Sequence, residues 1–179
     1  RDTLVSINFL GRLERRKGPD IFLDLLSLLS SRSCAVKGRI IGPPHVFAPG
    51  QDATDILRQD ALNRGIEVEM VSGMTKNEMA ALFATRAITV VPSRYDSFNL
   101  VALESLFSGC PAVVASAAGI TGYLRENFPR IPFISLDISN LGKSLPEIRD
   151  LIENYDTHRA ELLDAVRGSA MPAPGTSLE

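Results

Sequence analysis

Two basic and two acidic side chains carry the chemistry that this chain can do, because their neighbours suit them to a phosphorylated ligand. Gly11-Arg12-Leu13-Glu14-Arg15-Arg16-Lys17-Gly18 follows an apolar run. The two glycines allow tight backbone paths, and Arg12 and Lys17 flank the turn between them. Arg presents a planar fork to phosphate oxygens, and Lys a mobile point charge. A solvated basic loop is the plainer meaning of such a run. The glycine spacing matches neither a Walker loop nor a dinucleotide fingerprint.

Further on stands Pro92-Ser93-Arg94-Tyr95-Asp96-Ser97-Phe98-Asn99-Leu100-Val101-Ala102-Leu103-Glu104. Ser97 is a natural helix N-cap. A helix opening there leaves the amides of Phe98, Asn99 and Leu100 as donors at the positive end of its dipole, which is a ready anion site. Asp96 lies in the loop, where turn-forming and capping are its ordinary uses. On a helical wheel of about 100° per residue, Glu104 falls beside Val101 and Ser108. That is the margin of an apolar arc of Leu100, Leu103, Leu106 and Phe107. A carboxylate at such a margin needs a partner; sugar hydroxyls, an Arg or a backbone amide would each serve. A third stretch, Ser116 to Gly122, is small enough for a ligand to approach its backbone.

The elements around these stretches alternate between strand and helix. Leu4–Leu10 reads as a strand, and Pro19 opens a helix at its first turn with Ile21, Phe22, Leu25, Leu26, Leu28 and Leu29 at helical spacing. Arg39–Ile41 ends a second strand at Gly42. Asp52–Arg64 is a polar helix stopped by Gly65, and Ile66–Val71 a third strand. Thr75 and Glu78 form a capping box for the next helix. Ala87–Val91, apart from Thr89, and Pro111–Ala115 are apolar, as strands buried on both faces of a parallel sheet are. A helix over Phe98–Ser108 lies between them. Tyr123–Asn127 is a short helix, Pro132–Leu136 a last strand, and Ser144–Asn154 and Thr157–Arg167 closing helices. Gly42–Gly50 is the main irregular stretch. The alternation predicts an α/β fold, a doubly wound, mainly parallel sheet with helices on both faces. Such sheets bind ligands at the carboxyl ends of their strands, where the three loops lie.

The 179 residues predict one domain over 1–168, with a flexible tail over 169–179 whose Leu178-Glu179 has the form of a cloning scar. Opening on a strand without a start Met or signal peptide, the chain reads as an excised domain. The 45% apolar and 22% charged content is globular. Nineteen basic against 21 acidic residues give a net charge of −2, which lacks the basic footprint of a nucleic-acid binder. No run reaches the roughly 18 apolar residues of a membrane span, although peripheral membrane association of a longer protein stays open. Two cysteines and two histidines are too few for a disulfide framework or a Cys- or His-rich metal site. Reduced thiols point to the cytoplasm. Cys110 reads as a small core residue, His158 as a surface residue without a partner, and His45 as a loop residue.

Taken in order, Gly11-Arg12-Leu13, Lys17-Gly18, Pro92-Ser93, Asp96, Phe98, Leu100, Glu104, Gly109-Cys110-Pro111, Ser116 and Gly119-Ile120 resemble the C-terminal domain of the family 4 GT-B glycosyltransferases. The resemblance implies the Rossmann-like half of a GT-B fold that binds a nucleotide-diphosphate sugar (a UDP-, GDP- or ADP-sugar). Transfer would be to an acceptor held by an N-terminal domain, with retention of configuration and with no metal or other cofactor. It implies that Arg12 and Lys17 clamp the diphosphate, that backbone amides near Phe98 to Leu100 hold the distal phosphate or the sugar, and that Ser97, Phe98, Asn99 and Leu100 are donor-binding residues. Asp96 and Glu104 would take the paired-acid positions, one on the donor sugar and the other on the ribose. Gly42, Gly73 and Met74 would border the base, and Gly11 is a further donor-binding position.

Some positions depart from that pattern. The first acid is Asp96 where the family usually has Glu, and Ser97 and Asn99 stand where it often has glycines. Two other readings therefore remain: a non-catalytic nucleotide-binding or regulatory module of the same fold, and a nucleotide-sugar epimerase.

Overall fold

The computed structural model describes residues 4–32, 34–96 and 98–169. The expected cap Ser97 and the expected tail beyond Ser169 lie outside them.

Among the described residues eight strands form: β1 (Val5–Leu10), β2 (Val36–Ile41), β3 (Val46–Ala48), β4 (Gln51–Asp52), β5 (Val68–Val71), β6 (Ala87–Val91), β7 (Ala112–Ala115) and β8 (Ile134–Leu136). Six of them make one parallel sheet in the order β5-β2-β1-β6-β7-β8. Phe9 of β1 pairs in register with Ile40 on one side and Val90 on the other. β1, β6 and β7 are buried along their whole length, as the apolar runs predict. Ser6 and Asn8 are the polar residues in β1, and Asn8 is the more deeply buried. Its amide nitrogen donates to the carbonyls of Ser6 and Ile88, both at 3.2 Å.

Among the described residues seven α-helices cover the sheet: α1 (Pro19–Ser31), α2 (Ala53–Asn63), α3 (Lys76–Phe83), α4 (Leu100–Phe107), α5 (Gly119–Asn127), α6 (Leu145–Glu153) and α7 (Tyr155–Arg167). Phe22, Leu25 and Leu29 of α1, Leu57 of α2 and Ile148 and Leu151 of α6 pack against Ile7, Phe9 and Ile40. A second core joins Leu106 of α4, Ile120 and Leu124 of α5 and Leu162 of α7 to Val91 and Val114. Leu82 and Phe83 of α3 close a third around Leu10, Ile41 and Cys110. Each fully buried side chain of this size contributes roughly 1.5–3 kcal/mol. The helices after β1 and β6 thus enter different cores. These neighbouring strands form the topological switch point, and folds of this class take up ligands outside the carboxyl ends of the strands there.

Local signals place most boundaries. Thr75 and Glu78 make both hydrogen bonds of the capping box on α3, and Asp52 caps α2 through Thr54 N–H at 2.7 Å. Three expectations are corrected. The stretch after Gly42 holds a hairpin, β3 with β4, turned at Pro49-Gly50. α5 begins at Gly119 rather than Tyr123. α4 begins at Leu100, capped by Asn99. Cys110 is fully buried, with Sγ 3.1 Å from the Ala87 carbonyl, as a core residue should be. His158, expected without a partner, meets Asp150 at 2.7 Å.

Candidate functional site

The candidate site is built from the loops that follow β1, β2 and β6, and backbone contacts set it. Gly11 N–H donates to Ile41 O at 3.0 Å and Gly42 N–H to Val71 O at 2.9 Å, continuing the ladder past the strand ends. A side chain at Gly42 would put its Cβ 1.7 Å from Gly11 O, so only glycine lets the first two loops lie together. Leu13, 1% exposed, plugs the first loop into the core. A single 3-10 turn, Arg15–Lys17, leads to Gly18 at φ +75°. A Cβ at Gly18 would sit 2.2 Å from Pro92 O, so this glycine brings the loop after β1 against the loop after β6. Arg94 N–H donates to Arg16 O at 2.8 Å across the same seam. The Arg94 guanidinium grips Asp20 with two bonds of 2.8 and 2.6 Å. Burial pushes the Asp20 carboxyl up, but the bonds and charge of Arg94 outweigh it and hold the group below its usual range.

At the centre of the seam is Asp96, whose side chain is 5% exposed. Its Oδ2 takes three donors: Lys17 Nζ at 2.6 Å, Asn99 Nδ2 at 3.0 Å and Ser93 Oγ at 3.4 Å. Asn99 uses both ends of its carboxamide, because its Oδ1 accepts from Val101 N–H at 3.0 Å. One residue therefore caps α4 and fixes Asp96. Asn99 has φ −114°, so this position requires no left-handed backbone. Among the described residues none accepts from the amides of Phe98, Asn99 or Leu100. These three donors lie at the start of α4, two to four residues beyond Asp96 of the half-buried Lys17–Asp96 pair.

The other sequence-selected residues make separate contacts. Arg12 is exposed and pairs with Glu14 at 3.0 Å, and Glu14 also holds Arg16 at 2.5 Å. Met74 is half-buried against the cluster of Leu10 and Ile41, while Gly73 is exposed beside it. Phe98 sets its ring edge-on to Tyr123, with centroids 5.1 Å apart. Leu100 is 62% exposed. Glu104 is exposed, not at the edge of a buried face, and has no hydrogen-bond or ion-pair partner among the described residues. The buried stripe of α4 is Ala102, Ser105 and Leu106, so Glu104 faces away from the sheet. The third loop joins the site through Gly119 N–H, which donates to Asp96 O at 3.0 Å. Sequence reasoning missed Glu14, Ser93, Arg94 and the capping role of Asn99. For Asn99 the signal was present, since Asn is as good a cap as Ser. Among the described residues no three His, Cys, Asp or Glu side chains are grouped to hold a metal ion.

Residues 2–160 match the family described as glycosyl transferases group 1. The chain belongs to that family. One relative, the D-inositol 3-phosphate glycosyltransferase of Thermobispora bispora, is 29% identical over 168 residues, which are 90% of this chain and 38% of that protein. The Nocardioides protein of the same name is 28% identical over 128 residues, 66% of this chain and 28% of its own. The chain thus spans less than two fifths of the length of these relatives. Among solved structures, Anabaena HepE, in complex with UDP and glucose, superposes with a TM-score of 0.72 at 20% identity, covering 93% of this chain and 43% of that one. Sucrose-phosphate synthase from Thermosynechococcus elongatus gives 0.67 at 18%, covering 92% and 41%. Likeness at this identity shows the fold, the Rossmann-like α/β half of the GT-B glycosyltransferases.

Proposed function

We propose that this chain is the donor-binding half of a retaining, metal-independent glycosyltransferase that takes a sugar from a nucleotide-diphosphate sugar. The observation that carries the reading is the Lys17–Asp96–Asn99 assembly at the start of α4, at the switch point between β1 and β6. There an ammonium and three backbone donors stand where the fold class takes up its ligand.

As the glycosidic bond breaks, negative charge grows on the departing diphosphate. Lys17 and Arg12 neutralise it, the work a metal would otherwise do. The amides of Phe98, Asn99 and Leu100 take the phosphate nearer the sugar. Asp96 keeps the ammonium in place and borders the sugar, and Glu104 is open to the ribose hydroxyls. Gly42, Gly73 and Met74 line the base side. An N-terminal domain of the whole protein brings the acceptor. A UDP-sugar is the preferred donor, because a structural neighbour holds UDP and glucose. Among the described residues no helix is long and apolar enough to cross a membrane, and the reading places the protein in the cytoplasm.

Calorimetric titration of the chain with UDP, GDP and ADP tests this. Binding is expected to be weak, since half a cleft buries part of the ligand, and strongest for UDP. Lys17→Ala and Arg12→Ala should each cost about tenfold or more, the worth of a charge-assisted bond. Nucleotide binding that ignores both substitutions would remove the diphosphate assignment. No binding at all would favour an empty scaffold. A product assay on the whole protein separates transfer from epimerisation.

A further inference from the structure

The cations of the proposed diphosphate site are already paired. The loop after β1 carries four positive charges: Arg15 lies over the Phe47 ring, 5.3 Å from its centroid, while Arg12, Arg16 and Lys17 pair with the two carboxylates of Glu14 and Asp96. Asp96 has a structural task in tying Lys17 to the start of α4. Glu14 has no such long-range partner among the described residues. Its side chain, 13% exposed, lies beneath two more exposed guanidiniums, those of Arg12 (62%) and Arg16 (41%). Each of its oxygens meets one Nε, Oε1 at 3.0 Å from Arg12 and Oε2 at 2.5 Å from Arg16. Two guanidiniums gathered on one anion are what a phosphate group would itself recruit.

We infer that Glu14 is a resident competitor for the diphosphate, occupying in the unliganded site the guanidiniums that an incoming phosphate must take. The inference rests on the donor-binding reading and names how that site is regulated.

Two electrostatic effects act in the same direction. Glu14 neutralises cations that would otherwise attract the ligand, and its own charge repels a phosphate brought to Arg12. A gain from orienting the guanidiniums would have the opposite sign. It is small, because Arg12 stays mostly in solvent and keeps its freedom. Burial pushes the Glu14 carboxyl up, but the hydrogen bond from Arg16 and the charges of Arg12, Arg16 and His45 hold it below the usual range, so the competitor stays ionised at neutral pH. A site weakened in this way binds substrate and product nucleotide less tightly alike. That costs nothing in the chemical step and speeds product release.

The test is calorimetry at low salt with two probes, UDP and inorganic pyrophosphate, on the wild-type chain, Glu14→Gln and Glu14→Ala, with thermal melts to confirm folding. Both substitutions should tighten both probes by about threefold to tenfold, the range set by one or two exposed ion pairs. They should also steepen the salt dependence. In an Arg12→Ala/Arg16→Ala background the gain should vanish. UDP bound equally or more weakly by the folded Glu14 variants overturns the inference and leaves the donor reading standing. Pyrophosphate bound more tightly by the variants, with UDP bound by none, sustains the competitor and removes the donor reading. If neither probe binds any form, both fall.

Discussion

Gly18 is the position at which the backbone geometry of the site is tested most sharply, by comparing Gly18→Ala with Gly65→Ala. Both glycines are left-handed, at φ +75° and +65°, so both substitutions meet the same conformational penalty of about 1–2 kcal/mol. Reduced freedom of the unfolded chain returns about 0.4–1 kcal/mol of it in each case. At Gly65 a new Cβ meets nothing within 4 Å, and the net loss should be about 1 kcal/mol. At Gly18 it lies 2.2 Å from Pro92 O and 3.3 Å from a methyl of Ile21. The carbonyl belongs to the backbone and cannot rotate away. The two loops must part by about 1 Å to reach ordinary contact, at an overpacking cost of about 1–3 kcal/mol. Gly18→Ala should therefore lose about 3 kcal/mol in urea unfolding. In thermal melts that is about 6–12 °C, against about 2–4 °C for Gly65→Ala. Parting the loops also strains the 2.8 Å bond from Arg94 N–H to Arg16 O and the Lys17–Asp96 pair, so UDP affinity should fall in Gly18→Ala alone. Losses equal to within about 0.5 kcal/mol would refute the close approach of the two loops.

Other expectations follow from the same seam. Asn99→Ala removes the cap of α4 and a donor to Asp96, and should cost about 1–2 kcal/mol in urea unfolding. Asn99→Ser, which keeps an acceptor for Val101 N–H, should recover about half of that; equal losses from the two would deny the cap. The Asp20 carboxyl, held below its usual range by Arg94, binds its proton less readily in the folded chain than in the unfolded one. The stability it contributes is complete above about pH 5 and is lost as the pH falls through about 4 and below. Arg94→Gln should flatten that part of the acid limb in melts taken from pH 7 to pH 3. An acid limb of unchanged slope would show that the pair carries no such linkage.

The strands at the switch point could be read directly, because nearly continuous apolar runs such as Ala87–Val91, broken only by Thr89, have one stable home, the middle of a parallel sheet. The capping box on α3 was equally legible, since Thr75 and Glu78 satisfy each other within one turn. The hairpin over Val46–Asp52 was not. Its strands are two and three residues long, too short for alternation to register, and Pro49-Gly50 marks a turn without saying what it joins. The start of α4 was misplaced for a different reason. Ser97 and Asn99 are both good caps. The preference for Asn99 comes from Asp96, which its amide supports, and through it from Lys17, 79 residues away from Asp96. No local pattern carries a contact of that range.

Glu104 shows how side-chain size misleads a helical wheel. Weighting the large apolar residues puts the buried face of α4 along Leu100, Leu103, Leu106 and Phe107, with Glu104 at its margin. The sheet instead takes Ala102, Ser105 and Leu106. Small residues let the helix lie close, and Ser105 Oγ bonds to Thr89 Oγ1 at 2.7 Å and Cys110 O at 3.0 Å. Buried serine is stable there because its hydroxyl is satisfied on both sides. That stripe turns Glu104 about 200° from Ala102, to the side away from the sheet. An exposed carboxylate needs no partner, so the need for an Arg or a backbone amide to satisfy Glu104 disappears along with its burial. What remains is an unpaired acid on the helix whose start carries the proposed phosphate donors, and among the described residues it has no structural task to perform.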